Sequence, residues 1–233
     1  MAVLTSEIAD QLIALHGNNI PIPDIYTSIG ESAFKDKNID GVTISDSVIT
    51  IGDHAFSGSG LENLELGSSV TTIGEFAFYD NHLVSVDIPD SVILLDSHAF
   101  HLNALTSVEI GLSVSTIEDF AFYSNRLASI NIPDSVTRIG MYSFADSELT
   151  SLEIPDSVVT IGDWAFTSNK LTSLELGDGL TETGAFVFSE NLLQSVVIPN
   201  SLTTISSGVC YNNKLLDVGM GDNVGYILQA AVR

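Results

Sequence analysis

The residues of this chain that could do chemistry are few and recur at regular positions. His98 and His101 are three residues apart, but apolar residues separate them and no carboxylate follows at a metal-ligand spacing. Cys210 is the only cysteine, which excludes an intrachain disulfide and a cysteine-based metal site. The sequence contains neither a glycine-rich phosphate loop nor a helical His-Glu pair. We therefore predict no catalytic residue, no metal site, no cofactor and no enzymatic activity.

The charge of the chain limits its partners. The 233 residues include 30 acidic and 7 basic side chains, for a formal net charge of -23. Such a surface repels phosphate backbones and anionic headgroups, which disfavours nucleic acid. The explanations that remain are cations, simple solubility, or a protein or surface ligand of basic character, which is the expected partner. No apolar run reaches the roughly 18 residues that a membrane-spanning helix needs, so we expect no membrane insertion.

A 22-residue repeat accounts for most of the remaining sequence. One column of the repeat consists of phenylalanines with a cysteine in the last place: Phe34, Phe56, Phe78, Phe100, Phe122, Phe144, Phe166, Phe188 and Cys210. The cysteine is therefore predicted to be a small core residue and not a nucleophile. A second column holds the repeat leucines, such as Leu149 and Leu171.

Each repeat contains one predicted strand and two kinds of turn. After each leucine, aliphatic residues follow at three and five positions, as in Leu152 and Ile154, which is the alternation of a strand with one buried face. A Pro-Asp-Ser or glycine turn and an extended segment come next. An acid then precedes the Ala-Phe pair and suits the N-terminus of a short helical or 3₁₀ turn. These acids are Asp53, Glu75, Asp119 and Asp163.

A single 22-residue repeat is too small to bury its apolar side chains alone, and the copies must therefore stack on one another. We predict a right-handed solenoid with a parallel β-sheet on one face and short helical or 3₁₀ turns on the other. About nine repeats occupy residues 25–226, preceded by an amphipathic helical cap and lead-in at 1–24. Residues 227–233 form a C-terminal end that we expect to be truncated.

The predicted cap is a helix over residues 6–16. Ser6 is the predicted N-cap and Gly17 the terminator, with Ile8, Leu12 and Leu15 on one face. Covering the first core layer of the solenoid is the favoured interpretation of this helix. Binding of a partner by the same amphipathic face is the alternative.

The repeat resembles a known family. Read from Ile154 onward, Ile-Pro-Asp-Ser-Val-x-x-Ile-Gly-x-x-Ala-Phe-x-x-Asn-x-Leu-x-Ser-Leu-x-Ile is similar to the BspA-like leucine-rich repeats, over about residues 25–225. The resemblance implies an α/β leucine-rich repeat fold and a cell-surface or secreted protein that binds other proteins or host surfaces. Many members carry cysteine where this chain has a column of asparagines, which we expect to bond neighbouring backbone groups. These are Asn81, Asn103, Asn125, Asn169, Asn191 and Asn213.

Two surfaces are candidates for binding. The first, called the sheet face here, consists of outward strand positions: Glu65, Asp87, Ser107, Glu109, Ser129, Asn131, Ser151, Glu153, Ser173 and Glu175. Carboxylates stacked at strand spacing repel one another unless a cation or basic partner compensates. The alternative is that these acids only keep an exposed sheet soluble.

The second surface, the aromatic stripe, lies two residues before the phenylalanine column. It comprises Phe76, Phe120, Tyr142, Trp164 and Phe186, together with His54 and His98. Rings at one position of every turn could present a platform for sugars or peptides. More often such rings pack on one another along the wall of a fold.

The hypothesis that follows is a non-enzymatic protein-binding or adhesion module, extracellular or on the cell surface. The alternative is a structural spacer or assembly unit that self-associates end to end through its solenoid ends. A third idea, ice or mineral binding, rests on an interrupted threonine column: Thr50, Thr72, Thr116, Thr160 and Thr204.

Overall fold

A computed structural model describes residues 2–227 of the chain. It divides into two compact units, Met1–Val114 and Ser115–Arg233. Each unit is a parallel-strand solenoid in which equivalent residues of neighbouring turns are 22 positions apart. The predicted fold class is therefore confirmed, while the hand of the coil stays a prediction. The predicted end segment lies outside the described residues from position 228 onward.

The described part of the first unit, residues 2–114, contains one helix and ten short strands. These are β1 (Val3–Leu4), α1 (Ser6–His16), β2 (Asn19–Pro21), β3 (Ser28–Ile29), β4 (Gly41–Thr43), β5 (Thr50–Ile51), β6 (Asn63–Glu65), β7 (Thr72–Ile73), β8 (Ser85–Asp87), β9 (Leu94–Leu95) and β10 (Ser107–Glu109).

The described part of the second unit contains ten strands. They are β11 (Thr116–Ile117), β12 (Arg138–Ile139), β13 (Ser151–Ile154), β14 (Thr160–Ile161), β15 (Ser173–Leu176), β16 (Glu182–Thr183), β17 (Ser195–Ile198), β18 (Thr204–Ile205), β19 (Asp217–Met220) and β20 (Tyr226–Ile227).

Two rows of strands run through each unit, where the sequence predicted one. The predicted row is present but interrupted, as β2-β4-β6 and β8-β10 in the first unit and as β13-β15 and β17-β19 in the second. The longer sheets are formed by the segment that follows each Pro-Asp-Ser or glycine turn, which the sequence predicted to be extended. Their strand orders are β1-β3-β5-β7-β9 and β11-β12-β14-β16. A strand of two residues is too short to show an alternating sequence pattern. These strands are defined instead by their pairing with the equivalent residues of the neighbouring turn.

The turn that contains each phenylalanine is not a 3₁₀ helix. Its N–H groups alternate between a carbonyl three residues back and one in the next turn: Ala33 N–H bonds Gly30, whereas Ser32 and Phe34 N–H bond Asp53 and Ala55. This alternation places residues such as Asp36 and His54 in the left-handed region, at φ 57° and 55°. The turns expected at this position are present, but half of their bonds run between repeats.

The acids before the Ala-Phe pair were predicted to cap their own turn, and that prediction is wrong. Asp53 Oδ1 accepts the N–H of Glu75 at 3.0 Å, and Asp163 Oδ1 accepts that of Ala185 at 2.7 Å. Both acceptors serve the following repeat. Because the backbone at this point is not helical, it has no helix N-terminus for its own acid to cap.

Stacked phenylalanines fill the core. In the first unit, Phe34, Phe56, Phe78 and Phe100 follow one another at ring-centroid distances of 4.9 to 5.2 Å. In the second, Phe122, Phe144, Phe166 and Phe188 do so at 5.3 to 5.7 Å. Cys210 is fully buried, and burial raises the pKa of its thiol to about 12, so the thiol stays protonated and packs as a core residue.

The asparagine column bonds the backbone, as the sequence predicted. In the second unit Asn191 Oδ1 accepts the N–H of Leu171 at 2.9 Å, while Asn191 Nδ2 donates to Phe166, Phe188 and Ser189 carbonyls. Asn191 is buried, and so are the groups that it satisfies. One carboxamide therefore joins two turns through four hydrogen bonds.

The N-terminal helix has the predicted bounds but a different cap and buried face. Thr5, not Ser6, is the N-cap; it is extended at φ -95° and its side chain accepts the N–H of Ile8. Ala9 and Leu12 are buried, whereas Leu15 is 74% exposed. Of the predicted apolar face, Leu12 is buried, Ile8 is half-buried and Leu15 is exposed, so this face is only partly used.

We predict that Asn191→Ala lowers the free energy of unfolding by about 1–3 kcal/mol, because it leaves the buried Leu171 N–H without an acceptor. Denaturant unfolding followed by circular dichroism measures the change. Asn131→Ala, at an exposed position, is the matched control and should shift stability by less than about 0.5 kcal/mol. Equal effects from the two substitutions would contradict this role for the column.

Candidate functional site

All ten predicted sheet-face residues are exposed. In the first unit, Asp87 and Glu109 are directly paired across β8 and β10. In the second, Glu153 and Glu175 are paired across β13 and β15. Neighbouring strands are about 4.8 Å apart, so each pair sets two like charges side by side, an arrangement that disfavours folding.

No basic side chain of the described residues neutralises these acids. The ion pairs of residues 2–227 lie elsewhere and involve Lys37, Arg138 and Lys170. Within the sheet face, Glu65 accepts one hydrogen bond, from the Thr43 hydroxyl at 3.1 Å. The face thus retains its negative charge without internal compensation.

Shallow depressions lie along the sheet face and the turn that follows each strand. One in the second unit, of about 440 Å³, is lined by four acids: Asp134, Glu153, Asp156 and Glu175. One in the first unit, of about 710 Å³, is lined by Asp24, Asp46 and Glu65. No lysine or arginine lines either one.

The turn acids in these depressions are held by the neighbouring repeat. Asp156 Oδ1 accepts the N–H of Asp178 at 2.8 Å. Asp46 Oδ1 accepts the N–H and the hydroxyl of Ser68, and these bonds, the backbone one first, hold the pKa of Asp46 below its usual value. The acids therefore form a second negative row beside the sheet face, with one oxygen already used by the fold.

The turn acids were missed as candidate binding residues. The Pro-Asp-Ser pattern had been explained by turn formation alone, and Asp156 does serve the turn in that way. The available signal was the recurrence of an acid at this position beside acids three residues earlier, as in Glu153 and Asp156. One carboxylate can therefore accept a hydrogen bond in the turn and still present a negative charge to solvent.

Ser129 and Asn131 depart from the rest of the sheet face. They lie in the segment 129–132, which is not assigned to a strand. Both remain exposed, and both line a depression of about 310 Å³ with Asp134 and Glu153. These two residues therefore lie next to the acids of the sheet face, but no β-pairing fixes their register with the neighbouring turns.

The aromatic stripe is half-buried and stacked face to face. In the first unit, Phe76 lies between His54 at 4.9 Å and His98 at 4.2 Å. In the second, successive centroid distances along Phe120, Tyr142, Trp164 and Phe186 are 5.0, 5.2 and 5.7 Å. A sugar or a flat ligand needs a free ring face, and these faces already cover one another.

The stripe ends on a glycine in the second unit. Gly208 occupies the next place in the column after Phe186, with φ 65°, and a Cβ there would collide with the Phe186 ring. The ring therefore lies directly against this backbone. Even the terminal ring of the stripe is covered on this side.

His98 and His101 contact each other, and this contact is a packing feature. His98 and His101 have Nδ1 atoms 2.9 Å apart, so one ring donates a hydrogen bond to the other. Burial, followed by the charge of His98, lowers the pKa of His101 to about 4. Residues 2–227 contain no group of three or more His, Cys, Asp or Glu side chains placed to hold a metal ion.

The pattern of columns matches one family model, described as BspA type leucine-rich repeat region (6 copies), over residues 27–149 and 115–232. The chain belongs to this family. No curated protein sequence matches it significantly. Residues 2–227 contain no helix with the length and hydropathy that a membrane span requires.

Solved structures share the fold of this BspA-type protein. A leucine-rich repeat protein from Bacteroides ovatus is 18% identical, with a TM-score of 0.53, covering 91% of this chain and 76% of that one. The pneumococcal vaccine antigen PcpA is 20% identical, with the same TM-score, covering 91% of this chain and 68% of its own. At these identities the likeness establishes the fold alone.

We predict that acidification from pH 6.5 to 4.5 lowers the melting temperature more in the wild type than in His101→Tyr. The unfolded chain binds a proton at this histidine near pH 6.5, whereas the folded one does so near pH 4. Over that interval the unfolded state binds more protons, so stability falls as the pH falls. Tyr79 occupies the equivalent place one repeat earlier, so tyrosine fits the column. Identical pH slopes for the two proteins would refute this account of His101.

Proposed function

We propose that this BspA-type protein is a non-enzymatic protein-binding or adhesion module, displayed at the cell surface or secreted, which binds its partner through the sheet face. The observation that carries the proposal is the row of exposed acids in register, such as Glu153 and Glu175, without a basic neighbour. Most columns of the repeat pack in the core or bond the backbone, whereas the side chains of the sheet-face column point to solvent.

The cost of this arrangement supports a binding role. Like charges directly opposed on neighbouring strands are destabilising, so the sheet would fold better with neutral residues there. Isolated acids would be enough for solubility. A row of paired acids next to a second row in the turns, Asp134 and Asp156, gives a surface with directional charge.

The chemistry of the face favours a partner that carries lysine or arginine side chains. Positive groups on the partner would relieve the repulsion between neighbouring carboxylates, so binding and relief of repulsion act together. Depressions beside the acids admit the aliphatic stems of such side chains. The vaccine antigen with this fold is in keeping with a surface location.

The aromatic stripe is the weaker candidate, because its ring faces are engaged with one another. We assign it to the packing of the turns. Self-association through the solenoid ends stays a prediction, and sedimentation of the full chain at increasing concentration tests it.

The test is charge reversal on the sheet face. Partners are captured from a host or environmental extract with the full chain and identified, and affinity is then measured for the purified partner. We expect Glu109→Lys, Glu153→Lys and Glu175→Lys together to weaken binding by about tenfold or more, since each exposed charge pair contributes roughly 0.5–1 kcal/mol. Wild-type affinity should fall as salt rises from about 50 to 300 mM.

A matched control distinguishes the effect of charge on the sheet face from the effect of net charge. Reversal of the exposed Glu7, Glu182 and Glu190 changes the total charge equally but lies in α1, in β16 and in a turn. This control should keep wild-type affinity within about twofold. Equal losses in both triple variants, or no loss in either, would reject the sheet face as the binding surface.

A further inference from the structure

The asparagine column of the second unit is broken at one turn. Position 147 carries serine where the neighbouring repeats have Asn125 and Asn169. Ser147 is 7% exposed, and its hydroxyl is buried without a hydrogen-bond partner in the described chain. This turn therefore lacks the carboxamide that joins the others.

The groups that an asparagine would satisfy are still present. Each intact member accepts the N–H of the leucine twenty residues earlier, as Asn169 does for Leu149 at 3.0 Å. The equivalent donor for position 147 is Leu127, which is fully buried and whose N–H meets no acceptor within residues 2–227. A buried N–H left in this way costs a full desolvation penalty.

The carbonyls around this position have acceptor capacity to spare. In an intact turn, the Phe166 carbonyl accepts from both Asn169 and Asn191. The Phe144 carbonyl accepts from Asn169, and its own-repeat partner would be residue 147. Because a carbonyl oxygen has two lone pairs, Phe144 can accept a second bond here.

A second serine in the column, Ser59, shows that a serine at this position can find hydrogen-bond partners. In the first unit, the Ser59 hydroxyl donates to the Phe56 carbonyl at 2.6 Å, and the Ser59 carbonyl accepts the N–H of Ile39 at 2.7 Å. Gly60, which follows it, has a φ of 80°, which allows that backbone path. Asp146, like Gly58, has a positive φ, but Ser147 is followed by Glu148, which is not in the left-handed region.

We infer that one ordered water molecule binds between Leu127 and Ser147 and replaces the missing carboxamide. It accepts the Leu127 N–H, donates to the Phe144 carbonyl and bonds the Ser147 hydroxyl. Three polar partners in a buried setting are what a structural water requires. The asparagine side chain has two more heavy atoms than that of serine, a difference close to the roughly 30 Å³ that one water occupies.

The water site predicts the effect of restoring the asparagine. Ser147→Asn should slow hydrogen exchange at the Leu127 amide by about tenfold and raise the melting temperature by roughly 2–4 °C, because the side chain supplies directly what the water supplies. The reverse substitution, Asn169→Ser, creates a matched site at Leu149 and should speed exchange at that amide. A high-resolution crystal structure of the wild type should show the water, and that of Ser147→Asn should lack it.

A direct bond from Leu127 N–H to the Ser147 hydroxyl in the wild-type crystal structure would overturn the inference, as would a dry contact there. Unchanged Leu127 exchange in a folded Ser147→Asn protein would do the same. If that variant does not fold, the wild-type crystal structure and the Asn169→Ser variant decide between the outcomes. Ser143→Ala removes another buried, unpartnered hydroxyl of the same turn and should leave Leu127 exchange unchanged.

Discussion

Hydrogen bonding between residues about 22 positions apart is the constraint on which this protein depends. A single turn buries few side chains, and many of its N–H groups find their acceptors in the next turn, as Phe34 does at Ala55. The acid Asp163 and the carboxamide Asn191 act across the same interval or close to it. A turn is therefore incomplete without its neighbour, and the repeat length cannot drift without unpairing buried polar groups.

That constraint assigns most residues before function is considered. Phenylalanines and Cys210 fill the core, asparagines bond carbonyls, and the aromatic stripe packs ring on ring. The sheet face is different because its side chains are exposed and its acids lie opposite one another on neighbouring strands, without a basic partner among residues 2–227. This contrast is why a binding role is proposed for the sheet face and a packing role for the stripe.

Sequence reasoning worked wherever the repeat signal was strong. The 22-residue period, the core columns, the exposed acids and the bounds of α1 all follow from periodicity and side-chain type. It failed where bonding crosses between turns: the Thr-Ile strands such as Thr50–Ile51 are too short to alternate, and Asp53 serves Glu75 in the next repeat and not its own turn. Thr5 replaces Ser6 as N-cap because two adjacent residues can each cap a helix, and only the backbone decides between them.

The central claim is that the sheet-face acids serve a partner and not the fold. The free energy of unfolding of the triple variant Glu109→Gln, Glu153→Gln and Glu175→Gln tests this most directly, at low ionic strength where repulsion is least screened. The account predicts that the variant is as stable as the wild type or more stable, because neutral side chains remove like-charge contacts. A loss of more than about 1 kcal/mol would show that these carboxylates hold the sheet together, and would contradict the account.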